Sequence, residues 1–546
     1  MNAILSHLMI VPIILPLVTA AIMVLLGEQR RRIKSLLNVT ATSTGLIVAI
    51  AIMRRADGDG GMGVYLASNW EAPFGIVLVA DRLSALMLVL TGVVSLCSAL
   101  YAEAAWARVG VHFHPLFQIQ LMGLNGAFLT GDLFNLFVFF EVMLAASYGL
   151  QLHGSGVARV RSGLHYIAVN LLASSLFLVG LAVLYGVLGT LSMADIASKL
   201  ALVPLADRGL LYAGSTILAL AFLIKAAIWP LNAWLVPAYG AATAPVAALF
   251  AVMTKVGIYT LLRLWTLFFS DGTEPSAHFG ESVILYGGLA TMAGGAIGLM
   301  TTVRLDRIAG FSIIVSSGTL LAAIGAGTLS VTSAALFYLV SATLAVSALF
   351  LLVELIERIG ITGQQRYEDI DPGEDTNLDD AQVPLVGRAF PVSIALLGLA
   401  FMSCALVVAG LPPLSGFVAK FSLLSSILGS EGDVHATGGS VSVAGWLMLG
   451  LLLLSGFAAT VSLARASIRS LWSTGRRSPP QVKSAEAIAV VTLLLSCVAL
   501  TVFAEPVMRY TRATAAELHS PRSYVDRVMS TRALPRPAQP AEDGTP

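Results

Sequence analysis

Charged residues are scarce in this sequence. They make up 12% of its 546 residues, whereas 57% are hydrophobic, and an ordinary soluble domain carries roughly 25% charged residues. This deficit excludes an ordinary soluble protein and predicts an all-α, polytopic membrane protein. The formal net charge of +1 also excludes a nucleic-acid partner attracted by bulk charge.

Cysteine is almost absent, and each of the three cysteines (Cys97, Cys404 and Cys497) falls inside an apolar run. Neither a disulfide framework nor a cysteine metal site is therefore expected. The sequence also lacks a nucleotide-binding loop, a metal-ligand cluster and a nucleophile triad. We therefore expect neither an ATPase nor a self-contained redox enzyme, predict no cofactor, and assign no residue to a metal site.

Long apolar runs recur along the chain. A membrane-spanning helix needs about 20 mostly apolar residues, and counting such runs predicts fourteen spans. The first span is expected to be retained and not cleaved as a signal peptide, because its basic cluster, "RRRIK", follows the apolar run. The predicted spans lie near residues 5–27, 35–53, 78–101, 114–130, 133–151, 163–188, 208–229, 244–267, 282–302, 308–327, 331–355, 390–410 with a broken continuation to 429, 440–464 and 485–504.

The distribution of basic residues tests this number of spans. Lysine and arginine collect in loops on the cytoplasmic side of a membrane. Loops after odd-numbered spans hold more than three times as many lysines and arginines as loops after even-numbered spans. Arg263 is counted in the second set. This asymmetry predicts an N-terminus on the outer side. Fourteen spans place the C-terminus there too, although Arg509 and Arg512 lie close to the last span.

The segments outside the predicted spans are short or polar. Residues 359–389 have the composition of an acidic, turn-rich loop, and the last ~35 residues that of a flexible or peripheral tail. Solvated connectors are the favoured interpretation of both. Residues 191–200 resemble a short interfacial helix that begins with a capping serine, Ser192.

Three lysines and one arginine lie neither in a predicted loop nor in the tail. Arg82 follows Asp81 at the start of the third span, where it can reach the interface or pair locally, so a structural role is favoured. Lys225, Lys255 and Lys420 are harder to dismiss. An ionisable side chain near a helix centre costs about 2.5–3.5 kcal/mol on insertion scales, and it faces a wet cavity or a partner. These lysines are therefore candidate functional residues.

Glu141 is the acidic partner that the sequence offers. It is the only ionised group between Asp132 and His153, and Tyr148, seven residues further on, falls on the same helical face. Glu141 either ties two helices together or pairs with a membrane lysine. Burial lowers a lysine pKa and a nearby carboxylate raises it. A pair that opens and closes would therefore take up and release a proton near neutral pH.

A proline predicts a broken helix beside Lys225. Pro230 removes the hydrogen bond that its nitrogen would give to the carbonyl of Ala226, one residue from Lys225. A helix broken at mid-membrane survives only where water or protein satisfies its loose polar groups. We therefore expect Lys225 to lie at a hydrated break. Pro245 is a favourable first residue for the helix that carries Lys255.

The same break occurs a second time in the sequence. The segment "IWPLNAWLVPA", which contains Pro230, has an echo in "LPPLSGFVAKF", which contains Pro412 and Pro413. Duplicated broken helices in corresponding positions are typical of inverted-repeat transporters. Lys420 follows its break, whereas Lys225 precedes its own.

Three motifs carry a family resemblance. The stretches "FFEVMLAASYGL", "LIKAAIWPLNAWLVPAYGAATAPVAALFAVMTKVGIY" and "LPPLSGFVAKF" resemble the proton-translocating antiporter-type subunits shared by respiratory complex I, membrane-bound hydrogenases and Mrp/Pha multisubunit cation/proton antiporters. The resemblance covers most of residues 75–465. The residues around Glu141, the length and the absence of a long lateral helix after the fourteenth span most resemble the D subunits of the Mrp/Pha antiporters.

The resemblance implies a fold of fourteen helices, in which helices four to eight and nine to thirteen form inverted five-helix repeats and helices seven and twelve are discontinuous. It also implies four parts of the chain. These are N-terminal helices in 1–110, a first half-channel in 111–270, a second repeat in 280–465 that includes a cytoplasmic loop at 359–389, and a last helix with a polar tail in 466–546.

The resemblance further implies a role for each buried charge. Glu141 and Lys225 would form the coupled ion pair of the first half-channel, with Tyr148 beside them. Lys255 would be the central relay. Lys420 would be the terminal protonatable group of the second half-channel.

The sequence departs from the family in the tenth helix. Where many members have a histidine within a "YHxISQIGY"-like motif, this chain reads "FSIIVSSGT", with Ser312 at the place of the histidine. None of its eight histidines lies deep in a predicted span. The sequence therefore offers no histidine relay between Lys255 and Lys420. Ser312, Ser316, Ser317 and water are the candidates to bridge the gap instead.

These features predict a subunit of a hetero-oligomeric antiporter that exchanges external protons for cytoplasmic sodium or potassium, driven by the proton motive force. Its expected partners are the other subunits, the transported ions and the lipid of a bacterial inner membrane. The rival hypothesis is the proton-pumping subunit of a redox enzyme such as complex I or a related membrane hydrogenase. A third hypothesis, a passive scaffold with a vestigial channel, leaves the three membrane lysines and Glu141 unexplained.

Overall fold

The computed structural model describes a helical chain with one short β-hairpin. It covers residues 7–27, 30–58, 61–104, 106, 110, 112–269, 276–368, 392–429, 442–471 and 481–533, with side chains described except at 360–368. The hairpin pairs β1 (Gly63–Leu66) antiparallel with β2 (Val77–Ala80). Most of the predicted acidic loop, 359–389, lies outside the described residues.

Nineteen helices are numbered in chain order within the described residues. The first ten are α1 (Val11–Leu25), α2 (Arg31–Asp57), α3 (Arg82–Ala104), α4 (Phe113–Leu129), α5 (Leu133–Gln151), α6 (Val157–Leu188), α7 (Met193–Lys199), α8 (Arg208–Lys225), α9 (Leu235–Ala241) and α10 (Ala244–Phe268). The others are α11 (Glu281–Thr301), α12 (Leu305–Ala326), α13 (Leu329–Glu368), α14 (Val392–Ala409), α15 (Ser415–Gly429), α16 (Val443–Leu471), α17 (Ser484–Val502), α18 (Ala504–Leu518) and α19 (Pro521–Met529).

Most of these helices suit a lipid bilayer. Twelve of them, within the described residues, are long and apolar enough to cross a membrane, and a helix satisfies its own backbone hydrogen bonds there. The helices α1 and α15 are apolar but shorter. The multi-pass, all-helical architecture is therefore confirmed, while the number of fourteen spans stays a prediction.

The predicted spans coincide with observed helices, and the differences lie at helix ends. The fifth predicted span, 133–151, has the bounds of α5. By contrast, α13 continues to Glu368, well into the segment expected to be a loop. The β-hairpin has no counterpart in the prediction, because strands of four residues are too short for a period of two to stand out.

A short helix, α7, forms where an interfacial helix is expected, but it does not begin as predicted. Ser192 occupies the N-cap position without a side-chain capping bond, and its hydroxyl has no partner within the described residues. The backbone N–H of Met193 instead donates to the carbonyl of Gly131 at 2.9 Å. Ser192 therefore stands at the predicted N-cap position, but its hydroxyl makes no capping bond, and a backbone bond to the loop before α5 holds the first turn.

Two spans are discontinuous, as predicted. Residues 226–234 separate α8 from α9, and residues 410–414 separate α14 from α15. The first break begins before Pro230, so this proline lies in the irregular segment and does not itself interrupt a helix. Ala227 instead ends the helix, since its φ of 58° is a left-handed conformation that terminates helices.

The centre of the bundle is α10, which is buried along its whole length. It packs against α3, α8, α12 and α13. Pro245 lies in its first turn, as predicted. A polar side chain in the middle of α10, such as Lys255, therefore meets only other protein groups, and it has no route to a lipid headgroup.

Buried and half-buried ion pairs join several elements at one end of the bundle. Arg263, counted above as a loop residue, is buried within α10 and pairs with Asp81 at 2.6 Å. Arg82 pairs with Asp57 at 3.3 Å and with Glu517 of α18 at 3.2 Å. The structural role expected for Arg82 is supported. Counting Arg263 as a loop residue is wrong, because it lies inside the predicted span 244–267 and within α10.

The C-terminal tail folds against this same end. Helix α18 packs on α13, and α19 packs on α7 and α10. Tyr524 of α19 is buried, with its ring 5.5 Å from the guanidinium carbon of Arg263. The tail residues up to 533 therefore pack on the bundle, which is the peripheral arrangement that was one of the two expectations for the tail.

Candidate functional site

Lys225 is the last residue of α8 and is buried at the first break. Its Nζ lies 5.0 Å from the centre of the Phe140 ring, a cation–π contact. It has no hydrogen-bond partner within the described residues. Glu141, next to Phe140 on α5, is the carboxylate whose charge acts on it.

Glu141 and Lys225 form an open pair in this structure. The Oε1 of Glu141 has no hydrogen-bond partner in the described part of the chain, and neither does the hydroxyl of Tyr148. Glu141 also interacts electrostatically with Tyr148, as expected for residues on one helical face. The predicted constellation therefore comes together, but without a closed salt bridge.

The break beside Lys225 is held in place by tight packing. A Cβ at Gly257 of α10 would lie 2.9 Å from the carbonyl oxygen of Phe222 and 3.0 Å from the nitrogen of Ala226. The irregular segment is fixed from another side, because the backbone N–H of Trp229 donates to Thr291 Oγ1 at 2.9 Å. The position of the Lys225 backbone thus depends on α10 and α11.

Aromatic residues that sequence reasoning did not select lie beside this pair. Tyr166 of α6 packs edge-on against Tyr148, with ring centres 5.6 Å apart, and its hydroxyl lies 2.7 Å from that of Ser147. The hydroxyl of Tyr239 lies 2.9 Å from that of Thr254, one residue from Lys255. Aromatic residues in apolar helices are ordinary core residues, so no sequence signal distinguishes these hydroxyls.

Lys255 is 2% exposed, and its Nζ donates to Ser316 Oγ of α12 at 2.8 Å. Ser312, one turn earlier, donates its hydroxyl to the Ile308 carbonyl at 2.8 Å. Ser312 and Ser316 are four residues apart and therefore lie on the same face of α12. Ser317 is also buried, and its hydroxyl has no hydrogen-bond partner within the described residues. Because it directly follows Ser316, it lies on a different face of α12.

A cavity connects this serine pair to Lys420. The centre of a water molecule can move within ≈ 20 Å³ of this cavity, which is space for about one water molecule. Its polar lining comes from α12, α13, α15 and α16 and consists of Ser312, Ser316, Tyr338, Ser341, Ser455 and Lys420. Of the three serines predicted in α12, the cavity includes Ser312 and Ser316 and leaves out Ser317.

Lys420 lies in α15, and its ammonium group reaches back across the second break. Its Nζ donates to the carbonyl of Ala409 at 2.8 Å, at the end of α14. Two glycines make room for it: a Cβ at Gly410 would lie 2.4 Å from Cδ of Lys420, and a Cβ at Gly456 would lie 3.2 Å from Nζ. Pro412 and Pro413 lie in the irregular segment between α14 and α15.

A cluster of charged residues lies at the opposite end of α10 from Arg263 and consists of Glu354, Arg358 and Glu486. The sequence analysis placed Arg358 in a loop and did not select the two glutamates. Glu354 of α13 accepts from the backbone N–H of Ala244 at 3.3 Å, at the N-terminus of α10. Arg358 pairs with Glu354 and, at 2.6 Å, with the fully buried Glu486. The bond from Ala244 to Glu354 holds the N-terminus of α10, the helix that carries Lys255.

No group of three or more His, Cys, Asp or Glu side chains within the described residues has the geometry to hold a metal ion. The arrangement can instead hold and move protons, because it combines buried amines, a carboxylate and hydroxyls.

Comparisons with known proteins agree with this architecture. Residues 130–445 match the family described as NADH:quinone oxidoreductase/Mrp antiporter, TM. The D subunit of a probable K(+)/H(+) antiporter of Rhizobium meliloti is 49% identical over 538 residues, covering 96% of this chain and 98% of that protein. The D subunit of a Na(+)/H(+) antiporter of Alkalihalophilus pseudofirmus is 32% identical over 534 residues, covering 96% and 99%.

A solved structure shows the same similarity in three dimensions. A chain in the structure of the Mrp complex from Dietzia sp. has a TM-score of 0.79 and 27% sequence identity, over 96% of this chain and 99% of that one. The matched family region contains Glu141, Lys225, Lys255 and Lys420. Both of these relatives are named as antiporter subunits. The chain therefore belongs to the NADH:quinone oxidoreductase/Mrp antiporter family and, within it, to the D subunits of cation/proton antiporters.

Proposed function

We propose that this protein carries the protons in a multisubunit antiporter that exchanges them for Na⁺ or K⁺. The names of its relatives support antiport with either cation. The observation that carries the proposal is the connection between two buried lysines, since Lys255 donates to Ser316, and Ser316 and Lys420 line one cavity. Ionisable residues inside a membrane bundle mark ion pathways and proton relays.

The first half of the proposed path is the pair of Glu141 and Lys225, within residues 111–270. In the open arrangement, Lys225 Nζ and Glu141 Oε1 are buried without hydrogen-bond partners in the described residues, which is a costly state for charged atoms. Closing the pair favours the charged forms of both groups, and opening it favours release of the lysine proton. This alternation is the proposed source of coupling to Lys255.

The second half of the proposed path runs through hydroxyls, within residues 280–465. Ser316 accepts from Lys255, and water in the cavity would contact Ser312, Tyr338 and Lys420. Hydroxyl groups both donate and accept hydrogen bonds, so they can replace the histidine that other family members use. Tyr338 and Ser341 are additions to the path that the sequence did not indicate.

The proposed setting is a bacterial inner membrane, with both termini on the outer side and other antiporter subunits as partners. In the predicted orientation, the Arg263 end of α10 is the outer end, because loops after even-numbered spans lie outside. Helices α18 and α19 pack at this end, which supports an outer C-terminus. The alternative is a proton-pumping subunit of complex I or a related hydrogenase. Relatives named as antiporter subunits align over 96% of this chain, which favours antiport.

The test is cation-driven proton movement in everted vesicles that carry the whole antiporter operon. We expect Glu141→Ala, Lys225→Ala and Lys420→Ala to abolish it at normal assembly of the complex. Lys199→Ala is the matched control, because Lys199 is 41% exposed on α7 and pairs only with Asp195 on its own helix among the described residues. Full activity in all three membrane variants would overturn the proposal.

A further inference from the structure

A second cavity lies among α1, α2, α3 and α4, away from the lysine path. Water centres can occupy ≈ 20 Å³ of it, about the space of one water molecule or one monovalent ion. It shares no lining residue with the cavity beside Lys420. Its polar lining lies near the middle of these helices and consists of Thr42, Thr91, Ser95, Gln118 and Asn125.

The three hydroxyl groups of this lining commit their hydrogens elsewhere. Thr42, Thr91 and Ser95 each donate to a backbone carbonyl of their own helix, at 2.7, 2.7 and 3.1 Å. A hydroxyl that donates in this way keeps lone pairs with which it accepts or coordinates. These groups therefore offer oxygen atoms, and not hydrogens, to an occupant of the cavity.

The two carboxamides of the lining also donate hydrogen bonds from their nitrogens to protein groups. Gln118 Nε2 donates to Asn38 Oδ1 at 2.8 Å and to Thr42 Oγ1 at 3.0 Å. Asn125 Nδ2 donates at 2.9 Å to the carbonyl of Pro12, which lacks a helical partner because Pro16 has no N–H. Each carboxamide thus keeps its oxygen for another partner.

Among the polar atoms of this lining in the described residues, the side-chain oxygen of Gln118 is the one that is buried without a hydrogen-bond partner. Gln118 is 1% exposed, lines the cavity, and has an Oε1 with no hydrogen-bond partner within the described residues. A buried polar atom without a partner costs about 1–3 kcal/mol. An occupant that Gln118 Oε1 can coordinate would remove this cost.

The chemistry of the lining selects the occupant. An anion needs several hydrogen-bond donors, whereas the three hydroxyls and Gln118 already donate to protein groups. Asn125 donates one N–H to Pro12 and has one further N–H to offer. A divalent cation generally takes one or more carboxylates, and this lining has none. Neutral hydroxyl and amide oxygens in a space for one water-sized particle suit a monovalent cation.

We infer that this cavity is a binding site for Na⁺ or K⁺, coordinated by Gln118 Oε1 and the oxygens of Thr42, Thr91, Ser95 and Asn125. The inference rests on the proposed function, because it assigns the transported cation a site inside this subunit. It is confined to the cavity and defines no route. Toward one end of these helices, Glu103 accepts from Ser35, and Lys34 is buried on the same turn of α2 as Ser35.

The experiment uses the purified whole complex and its reconstituted antiport. Thermal stability is measured in NaCl or KCl against choline chloride, because a ligand that binds the folded state raises its stability. The variants are Thr91→Val, which keeps the side-chain shape, and Gln118→Leu. Thr44→Val is the matched control, since Thr44 makes the same type of hydroxyl-to-carbonyl bond at 2.9 Å but is exposed on the outside of α2.

We expect Thr91→Val and Gln118→Leu to reduce the stabilisation by Na⁺ or K⁺ and to raise the half-saturating cation concentration for antiport about three- to tenfold. Thr44→Val keeps both at the wild-type values. If Thr91→Val and Gln118→Leu also keep them, or if wild type is no more stable in NaCl or KCl than in choline chloride, the cavity holds water only and the inference is wrong.

The same measurements separate this inference from the proposed proton path. Lys420→Ala should lose antiport and keep the stabilisation by Na⁺ or K⁺, because Lys420 does not line this cavity. If Lys420→Ala keeps antiport, the proton path fails, whereas the stability of Thr91→Val still decides the cation site.

Discussion

Lys420 donates from its Nζ to the carbonyl oxygen of Ala409 at 2.8 Å, across the break between α14 and α15. Ala409 ends α14, and the last carbonyls of a helix lack intrahelical partners and favour a cation. Lys225 is itself the last residue of α8. Although the two lysines lie on opposite sides of their breaks in the sequence, each is associated with the C-terminal end of a half-helix.

The space around the Lys420 ammonium group predicts a steric variant. A Cβ at Gly456 of α16 would lie 2.9 Å from the Ala409 oxygen and 3.2 Å from Lys420 Nζ. Gly456→Ala should therefore displace the ammonium group and reduce antiport about tenfold, since overpacking costs about 1–3 kcal/mol. Gly450→Ala on the same helix is the control, because nothing lies within 4 Å of its added Cβ among the described residues. Equal activity of the two variants would refute the role of this contact.

Neighbouring serines on α12 predict different effects on proton transfer. Ser316→Ala removes the acceptor that lies 2.8 Å from Lys255 Nζ, so the antiport rate should fall about tenfold, as for a lost hydrogen bond to a charged group. Ser312→Ala and Tyr338→Phe remove hydroxyls from the cavity lining but leave Ser316 in place, so they should cause partial losses. Ser317→Ala should have no effect, because Ser317 does not line the cavity. Equal losses from Ser316→Ala and Ser317→Ala would contradict the proposed relay.

The buried pair of Asp81 and Arg263 predicts a stability defect. Asp81→Asn leaves the Arg263 guanidinium buried without its carboxylate, which costs about 3–5 kcal/mol, and thermal unfolding of the purified complex would show it. Asp57→Asn is the control, since Asp57 is 53% exposed where it pairs with Arg82, and exposed pairs contribute about 0–1 kcal/mol.

The same pair has a defined pH dependence. Burial raises the pKa of Asp81, but Arg263 and Ser84 outweigh it and hold the pKa below the ordinary value of 3.8. The stabilisation is therefore present above pH 3.8 and is lost only as the pH falls through the lowered pKa. Between about pH 5 and 8, the defect of Asp81→Asn should stay constant, and a defect that varies across this range would contradict the assignment.

His519 predicts that the C-terminal helices loosen in acid. Burial lowers the pKa of His519 below its ordinary value of 6.5, so the docked tail binds fewer protons than the undocked tail. Docking of α18 is therefore complete above about pH 6.5 and weakens as the pH falls below it. Hydrogen exchange of α18 in wild type should rise relative to His519→Gln between about pH 7.5 and 5.5. His278→Gln, which alters an imidazole that is 66% exposed, should behave like wild type.

The limits of sequence reasoning follow from particular residues. Lys225, Lys255 and Lys420 stand out because a charge in an apolar run is costly wherever the run folds. Tyr338, Ser341 and Gln118 do not stand out, because tyrosine, serine and glutamine are tolerated in most helices and their function depends on what they face. Glu354 and Glu486 have local partners in the sequence, Arg358 four residues on and Lys483 three residues before. Their contacts with Ala244 and Arg358 on other helices depend on packing and have no local signal.

The sequence by itself determined that this chain is a helical membrane protein, where its spans lie, and which charges are exceptional, because hydropathy and the cost of a buried charge are local properties. Only the tertiary structure decided that Lys255 meets Ser316, that Lys420 meets Ala409, and that Gln118 lines one cavity with Thr42, Thr91, Ser95 and Asn125. These contacts join helices far apart in the chain or across a break, and their geometry depends on packing that no local pattern encodes.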